Sequence, residues 1–142
     1  MRLGSAQARA RFTAAPVARL ATADAAGVPH LVPVTFAVAG DTLYFAVDHK
    51  PKRTRDLRRL RNIGQNPRVA LLADHYADDW TTLWWTRADG LATIRTAPAP
   101  YAPALALLAE KYPQYRTHPP QGPLVEVEVT GWSGWAATAT GS

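Results

Sequence analysis

Cysteine is absent from the 142-residue chain, and its absence excludes several kinds of chemistry. Disulfides, thiolate zinc sites, iron–sulfur clusters and cysteine nucleophiles all require a thiol. The histidines stand on separate segments without metal-ligand spacing, so we expect no metal site among His30, His49, His75 and His118. Glycine-rich nucleotide loops and the G-x-S-x-G motif of hydrolases are missing as well. If the chain is an enzyme, its chemistry should therefore belong to a bound cofactor, and no catalytic residue can be named.

Long apolar runs are lacking too, because no stretch approaches the roughly 18–20 residues that a membrane helix needs. Arginines stand near the N-terminus, but no apolar segment follows them, so we expect no secretory signal. These features predict a cytoplasmic protein without a membrane partner. Hydrophobic residues make up 47% of the chain and charged residues 19%, which is typical of a folded core. The length suits one domain that covers residues 1–142.

Strand patterns dominate what is present. They cover residues 17–23, 28–38, 42–47, 68–73, 80–87, 91–95 and 124–129, with an extension at 132–137. Helical patterns cover residues 3–13, 54–63 and 101–112, and a proline-rich loop covers 113–123. The mostly apolar run at 68–73 is expected to be buried on both faces. Because short turns join successive strands, we predict a mainly β (α+β) fold, a small antiparallel barrel of six or seven strands with short helices at its rim.

Basic side chains are concentrated in one segment of a chain whose formal charge is +5. This basic segment contains one acidic residue, Asp56, and seven basic residues, which are Lys50, Lys52, Arg53, Arg55, Arg58, Arg59 and Arg61. With Thr54 as N-cap, the helix that follows would point its first N–H groups at an anion such as a phosphate. Cations at a helix N-terminus oppose the helix dipole, which is easier to understand when an anion binds there. The alternative interpretation is a solvated basic helix face.

Two prolines interrupt the second strand pattern. Pro29 and Pro33 cannot donate to a β-ladder, so this strand should lie at an edge or turn one side toward a ligand. Its backbone would then address the edge of a flat heterocycle, with Thr35 donating a hydrogen bond. A bulged strand at a corner of the barrel is the alternative interpretation, and the sequence favours neither.

Tryptophans cluster in the strand pattern at residues 80–87. Alternation places Trp84 on one face, with Trp80 and Thr82, and Trp85 on the other. Since both faces then carry large aromatic side chains, we expect a subunit interface that also borders an aromatic pocket.

Four stretches together carry a resemblance to a known family: residues 18–38 (ARLATADAAGVPHLVPVTFAV), 43–60 (LYFAVDHKPKRTRDLRRL), 66–74 (NPRVALLAD) and 78–94 (DDWTTLWWTRADGLATI). Their order, a strand pair, a basic turn, an arginine-rich helix and N-P-R-V, resembles the split β-barrel flavin and deazaflavin oxidoreductases. This is the superfamily of pyridoxamine 5′-phosphate oxidase. The last stretch is similar to a subgroup that uses the deazaflavin coenzyme F-420. The resemblance covers nearly the whole chain.

The resemblance implies an FMN-binding split barrel and a homodimer with two cofactor sites at the subunit interface. Carried over by position, the residues along the isoalloxazine-type ring would be Pro33, Val34, Thr35 and Phe36. Those at the cofactor phosphate would be His49, Lys50, Lys52 and Arg53, with Arg55 assisting. Trp84 and Trp85 would border the ring across the interface. The sequence K-P-K at 50–52 departs from the S-R-K that flavin-binding relatives tend to show.

The expected function is hydride transfer between F-420 and an unidentified small organic substrate. FMN needs only a compact phosphate clamp, whereas the tail of F-420 adds carboxylates that suit arginines beyond the clamp. One alternative is an FMN-dependent oxidase or reductase similar to pyridoxamine-phosphate oxidase. Another is a non-enzymatic module that binds a cofactor or nucleic acid. A nucleic-acid partner is disfavoured because the chain has no recognised nucleic-acid motif.

Overall fold

The structure, a computed structural model, describes residues 1–47, 57–96 and 102–138. Its strands are β1 (Ala18–Ala23), β2 (Pro29–Val34), β3 (Ala37–Ala39), β4 (Thr42–Ala46), β5 (Arg68–His75), β6 (Trp84–Arg95) and β7 (Leu124–Ala136). Its helices are α1 (Ser5–Ala14), α2 (Arg58–Gln65), α3 (Ala102–Lys111) and α4 (Gln114–Thr117), with a 3₁₀ turn at Trp80–Thr82. In these described ranges no helix is long and apolar enough to cross a membrane.

The strands form one sheet in the order β2-β1-β5-β6-β7-β4-β3, with antiparallel pairing throughout. β6 pairs with β5 through its first part and with β7 along its whole length. Buried side chains from both halves of the sheet meet in one apolar cluster, which includes Leu20, Leu43, Leu71 and Val127. The sheet must therefore curl around this cluster. The predicted mainly β barrel of six or seven antiparallel strands is confirmed.

α1 closes one side of the apolar cluster through Phe12. This side chain is fully buried. Its ring centroid lies 4.9 Å from that of Phe36 and 5.5 Å from that of Trp132. Burying a phenylalanine side chain contributes about 1.5–3 kcal/mol, and the two aromatic contacts fix the angle at which α1 packs.

α2 is anchored to β1 by a buried polar pair. Asn62 Nδ2 donates to Thr22 Oγ1 at 3.0 Å, and the neighbouring Ile63 enters the apolar cluster. The prediction that this helix starts at residue 54 with Thr54 as its N-cap is wrong. Leu57 has extended backbone (φ −75°, ψ 140°), so the helix begins at Arg58 and Leu57 is its N-cap residue.

The second strand pattern, predicted as one strand over residues 28–38, is two strands. β2 ends at Val34 and β3 begins at Ala37, with a break at Thr35 and Phe36. Phe36 turns its side chain fully into the core. At the break the chain loses strand pairing. In return it buries the Phe36 ring and forms the hydrogen bonds described below.

The start of the tryptophan segment is a second difference from the predicted strands. Asp79 Oδ1 accepts from both the backbone N–H and the hydroxyl of Thr81, at 3.0 and 2.6 Å. Such a local side-chain bond competes with β-pairing and stabilises the 3₁₀ turn instead. Trp80 thus stands outside the sheet, and the predicted alternation of Trp80 and Thr82 with Trp84 does not exist. From Trp84 onward the alternation is as predicted.

The sequence predicted two strands separated by Asp89 and Gly90. The structure has one strand, because β6 runs through both residues. The register with β7 shifts between these two residues, so Thr130 of β7 is an extra, bulged residue. Val127 and Val129 face the core before the bulge, and Gly134 and Ala136 do so after it. The bulge changes which alternate residues point inward, and the predicted extension at 132–137 is part of β7 as far as Ala136.

Two further predictions need correction. β5 is buried on one face only, since Val69 and Leu71 point inward while Leu72 stays 36% exposed on the outer face. The proline-rich loop at 113–123 contains the short helix α4, in which His118 N–H closes a turn onto the carbonyl of Gln114 at 3.0 Å.

Candidate functional site

β2 lies at one edge of the sheet, as its prolines predicted. Pro33 is exposed and stands opposite Arg19 of β1, whereas Val34 is buried in the apolar cluster. Only the backbone of Val34 therefore remains to meet a ligand at this edge. The side chain of Phe36 is fully buried, so only its backbone could meet a ligand as well.

Two tyrosines hold the break after β2. The hydroxyls of Thr35 and Tyr115 share a hydrogen bond of 2.7 Å. The hydroxyl of Tyr112 accepts from the N–H of Phe36 at 3.0 Å and donates to the carbonyl of Pro16 at 2.9 Å. Partial burial raises the pKa of Tyr112 above its ordinary value. α3 and α4 thus cover the strand end at which a ring-binding residue was predicted.

No sequence pattern indicated Tyr112 and Tyr115 as residues of this site. The two rings pack edge to face, with centroids 5.7 Å apart. Their spacing of three residues was a signal for neighbouring side chains on a helical turn. Nothing in the sequence indicated which strand they would face.

Replacing Tyr112 with phenylalanine tests this clamp. The variant removes the acceptor for Phe36 N–H and the donor for the Pro16 carbonyl, so the free energy of unfolding should fall by about 1–2 kcal/mol. Urea denaturation measures it. Y44F is the matched control, because the Tyr44 hydroxyl has no hydrogen bond to the described residues. Equal stability of Y112F and Y44F would contradict the clamp.

Lys111 lies beneath the same break. Its ammonium is 3.7 Å from the centroid of the Phe36 ring and donates to the Thr13 carbonyl at 3.1 Å. Both contacts favour the charged amine, but loss of hydration lowers the pKa of Lys111 from 10.5 to about 8. The amine therefore joins α3 to the end of α1 at a cost in hydration.

The stabilisation that Lys111 contributes should depend on pH. Between about pH 8 and 10.5 the unfolded chain keeps the proton that the folded amine has lost, so stability rises with pH in that interval. The difference in unfolding free energy between the wild type and K111M should accordingly shift in favour of the wild type from pH 8 to pH 10. Urea titrations at three pH values measure it. A flat trend would show that contacts to the charged amine balance its lost hydration, and an opposite trend that they outweigh it; either would contradict the lowered pKa.

The C-terminal part of the basic segment lies on α2. Arg58 and Arg61 are exposed, while Arg59 is half-buried. Burial lowers the pKa of Arg59, and its Nε has no hydrogen-bond partner among the described residues. His49, Lys50, Lys52, Arg53 and Arg55, the predicted phosphate contacts, lie outside the described residues. Their assignment stays a prediction.

Trp84 and Trp85 point to opposite faces of β6. Trp84 packs against the apolar cluster, and the guanidinium carbon of Arg11 lies 5.6 Å from its ring centroid. Trp85 lies on the outer face, with Arg87 5.8 Å from its ring centroid. Each aromatic therefore has a cation beside it. That either tryptophan borders a cofactor ring stays a prediction.

A cleft of about 710 Å³ opens between α1, the start of β1 and the connection from β5 to β6, and we call it the α1 cleft. Trp84 forms part of its wall, together with Arg11 and Arg19. Trp84 and Trp85 also line a smaller pocket of about 330 Å³ with Tyr76 and Trp135. That a subunit interface with an aromatic pocket lies beside the tryptophans stays a prediction.

The chain belongs to the pyridoxamine 5′-phosphate oxidase family, whose model matches residues 5–136. Its fold is the split barrel of that family. No curated protein sequence matches it significantly.

Solved structures share this fold over nearly the whole chain. The conserved hypothetical protein Rv2991 from Mycobacterium tuberculosis has a TM-score of 0.75 at 18% identity, over 99% of this chain and 93% of that one. A FAD-binding protein from Mesorhizobium loti has a TM-score of 0.72 at 19% identity, over 94% and 95%. HutZ, the heme storage protein from Vibrio cholerae, has a TM-score of 0.69 at 16% identity, over 92% of this chain and 94% of that one. At such identities the shared feature is the fold.

Proposed function

We propose that this protein is an oxidoreductase that transfers a hydride between the deazaflavin coenzyme F-420 and a small organic substrate. FMN is the alternative cofactor. The observation that carries the proposal is the pair of exposed arginines on α2, Arg58 and Arg61, which extend the basic segment beyond the length that one phosphate requires. Family membership and a flavin-binding structural neighbour support a flavin-type ligand.

The residues present fit an anionic cofactor. Arg59, in the C-terminal part of the basic segment, is a half-buried cation whose Nε lacks a partner in the described chain. An anion beside it would offset the hydration that Arg59 has lost. Asn62, one turn further along α2, fixes the helix to β1 and so holds Arg59 in place. The predicted clamp of Lys50, Lys52 and Arg53 would supply the remaining charge.

The ring of the cofactor is proposed to lie along the edge of β2. When bound, the cofactor supplies the hydride or accepts it, and the protein orients it and excludes water. The hydroxyls of Thr35 and Tyr115 carry two protons. One proton forms their mutual hydrogen bond, and the second proton could be donated to a ring atom. Phe36 N–H is already bound by Tyr112, and the hydroxyl pair is a side-chain donor at this break.

The choice of F-420 over FMN rests on charge. Arg58 and Arg61 are exposed and stand three residues apart, on one side of α2. FMN ends in a single phosphate, whereas the tail of F-420 carries several carboxylates, which arginine binds in a bidentate manner. The two arginines follow the predicted clamp in the sequence and would continue it along such a tail.

The proposal includes a homodimer. The outer face of the sheet exposes Leu31 at 66%, Leu72 at 36% and Trp135 at 39%. Strand register places Leu72 opposite both Arg19 and Arg87, in the middle of this face. Apolar side chains in such positions are typical of a surface that a second copy covers. The predicted ring edge, Pro33, lies on the same face opposite Arg19.

Fluorescence titration of cofactor-free protein tests the choice of cofactor. We expect saturable binding of F-420, and weaker binding of FMN. R58Q/R61Q should reduce the affinity for F-420 several-fold and leave that for FMN unchanged, because only the longer ligand reaches both positions. R2Q/R68Q removes the same charge from exposed positions elsewhere and is the control. Tighter binding of FMN would favour the alternative cofactor, and binding of neither would overturn the oxidoreductase.

A further inference from the structure

Two side chains, one on β2 and one on α2, bury a nitrogen atom that has no hydrogen-bond partner among the described residues. These atoms are Nδ1 of His30 and Nε of Arg59. Buried polar atoms without a partner are rare in folded proteins because each one has lost its water without a replacement, and a bound ion or water is a usual explanation. A single ligand that accepts hydrogen bonds from both nitrogens would satisfy both atoms.

A buried hydrogen bond lies between these two side chains. His30 stands directly opposite Thr22 in the pairing of β2 with β1, so their side chains share one face of the sheet. Thr22 is 4% exposed, and its Oγ1 accepts from Nδ2 of Asn62 at 3.0 Å. Arg59 precedes Asn62 by three residues on α2, which is the spacing of neighbouring side chains on a helix. His30 and Arg59 therefore flank the Thr22–Asn62 bond, one from the sheet and the other from the helix.

The face that carries His30 is the inner face of the sheet. Leu20, which shares this face with Thr22, is fully buried, whereas Leu31, the neighbour of His30 along β2, is 66% exposed on the outer face. The proposed homodimer covers the outer face, so it leaves the surroundings of His30 uncovered. Both His30 and Arg59 keep part of their surface exposed, so a small ligand can reach them from solvent.

The charges favour an anion over a water molecule. Burial lowers the pKa of Arg59, and this side chain makes no ion pair with a described residue. The carboxylate of Asp24, in the turn after β1, already accepts from the N–H groups of Ala26 and Val28. Nε–H of Arg59 can only donate, and Nδ1 of His30 donates when the ring is charged or in the matching neutral tautomer. A water would satisfy the hydrogen bonds, but only an anion also offsets the hydration that the guanidinium has lost.

We propose that His30 and Arg59 form a binding site for a phosphate group between β2 and α2. A phosphate carries enough acceptor oxygens to bond donors that arrive from a strand and from a helix. The group belongs either to a cofactor or to free phosphate, and the recognition is the same for both sources. With the cofactor as the source, the site rests on the proposed function and adds a contact from β2 to the clamp predicted in the basic segment.

Titration of the cofactor-free protein with inorganic phosphate at constant ionic strength tests the site. The side-chain amide of Asn62 lies beside it, and its signal in proton–nitrogen NMR spectra should shift in a saturable manner. H30L and R59Q should each weaken phosphate binding by at least about tenfold, as expected for the loss of one charge-assisted contact. H30N should keep most of the affinity, because an asparagine amide nitrogen can take the place of Nδ1. R2Q removes an exposed arginine near β7 and is the control that should bind phosphate like the wild type.

Four outcomes would overturn the proposal: no saturable shift in the wild type, unchanged affinity in H30L or R59Q, an equal loss in H30L and H30N, or an equal loss in R2Q. R59Q and H30N keep the test decisive if H30L does not fold. Addition of F-420 or FMN then identifies the source. Displacement of the phosphate assigns the site to the cofactor, and simultaneous binding assigns it to free phosphate, so both results support the site. If the wild type binds phosphate at His30 and Arg59 but neither cofactor, the proposed function fails and the phosphate site stands.

Discussion

Replacing Lys50 and Lys52 with glutamine in one variant should reduce cofactor affinity by about 100-fold or more. Each charge-assisted contact to a phosphate contributes roughly 1.5–3 kcal/mol, and 1.4 kcal/mol corresponds to a factor of ten in affinity. Fluorescence titration with F-420 and with FMN measures the loss. Both ligands should be affected, since both carry the phosphate that the predicted clamp would bind.

The control for this variant is R2Q/R68Q, which removes two positive charges from exposed positions outside the basic segment. If general electrostatic attraction were the cause, both double variants would lose affinity to a similar degree and the loss would disappear at high salt. Circular dichroism and sedimentation velocity should show that K50Q/K52Q keeps its fold and its oligomeric state. Unchanged cofactor affinity in K50Q/K52Q would remove the basic segment from the binding site.

Replacing Gly90 with alanine should reduce the free energy of unfolding by about 3 kcal/mol, the upper part of the range for overpacked sites. A Cβ at this position would collide with the backbone carbonyl oxygen of Glu128 and lie 2.9 Å from Cγ1 of Val127. The collision is with a neighbouring strand, so the β6–β7 pairing must shift to relieve it. Chemical denaturation measures the effect.

Gly131 provides a matched control on the other side of the same bulge. A Cβ there meets nothing within 4 Å, so G131A should change stability by less than about 0.5 kcal/mol. If G90A and G131A were equally stable, the close approach of β6 and β7 at the bulge would be wrong. The pair also separates a packing effect from the general preference of strands for residues other than glycine.

Gly90 also illustrates what the sequence could not predict. Asp-Gly between two strand patterns is typical of a hairpin turn, and that interpretation was wrong here. The glycine serves close backbone approach within one long strand, a requirement set by β7, which is more than thirty residues away in the chain. Local pattern predicted the existence and the type of the strands but not this continuity.

Side-chain hydrogen bonds account for two other errors. Asp79 accepts two hydrogen bonds from Thr81, and the start of a predicted strand is therefore a 3₁₀ turn. Tyr112 captures Phe36 N–H and divides a predicted strand in two. The first partner is local and was in principle readable from the Asp-x-Thr spacing. The second lies 76 residues away, so only the folded chain could reveal it.

In the candidate site, too, local features could be predicted and contacts between distant segments could not. The edge position of β2 followed from its prolines, because a missing N–H is a local property. The tyrosine clamp, the Lys111 contact and the α1 cleft depend on packing between segments that are distant in the chain, as when Tyr112 meets Phe36 and Lys111 meets Thr13. The basic segment could be identified by composition alone, and its role as a cofactor clamp stays a prediction.

Native mass spectrometry of the purified protein with F-420 or FMN added tests the central claim most directly. The account predicts a dimer that carries up to two cofactor molecules, with occupancy that saturates as the ligand is increased. The same experiment on K50Q/K52Q should give the dimer without bound cofactor. A protein that stays monomeric, or a dimer that binds neither ligand, would contradict the account.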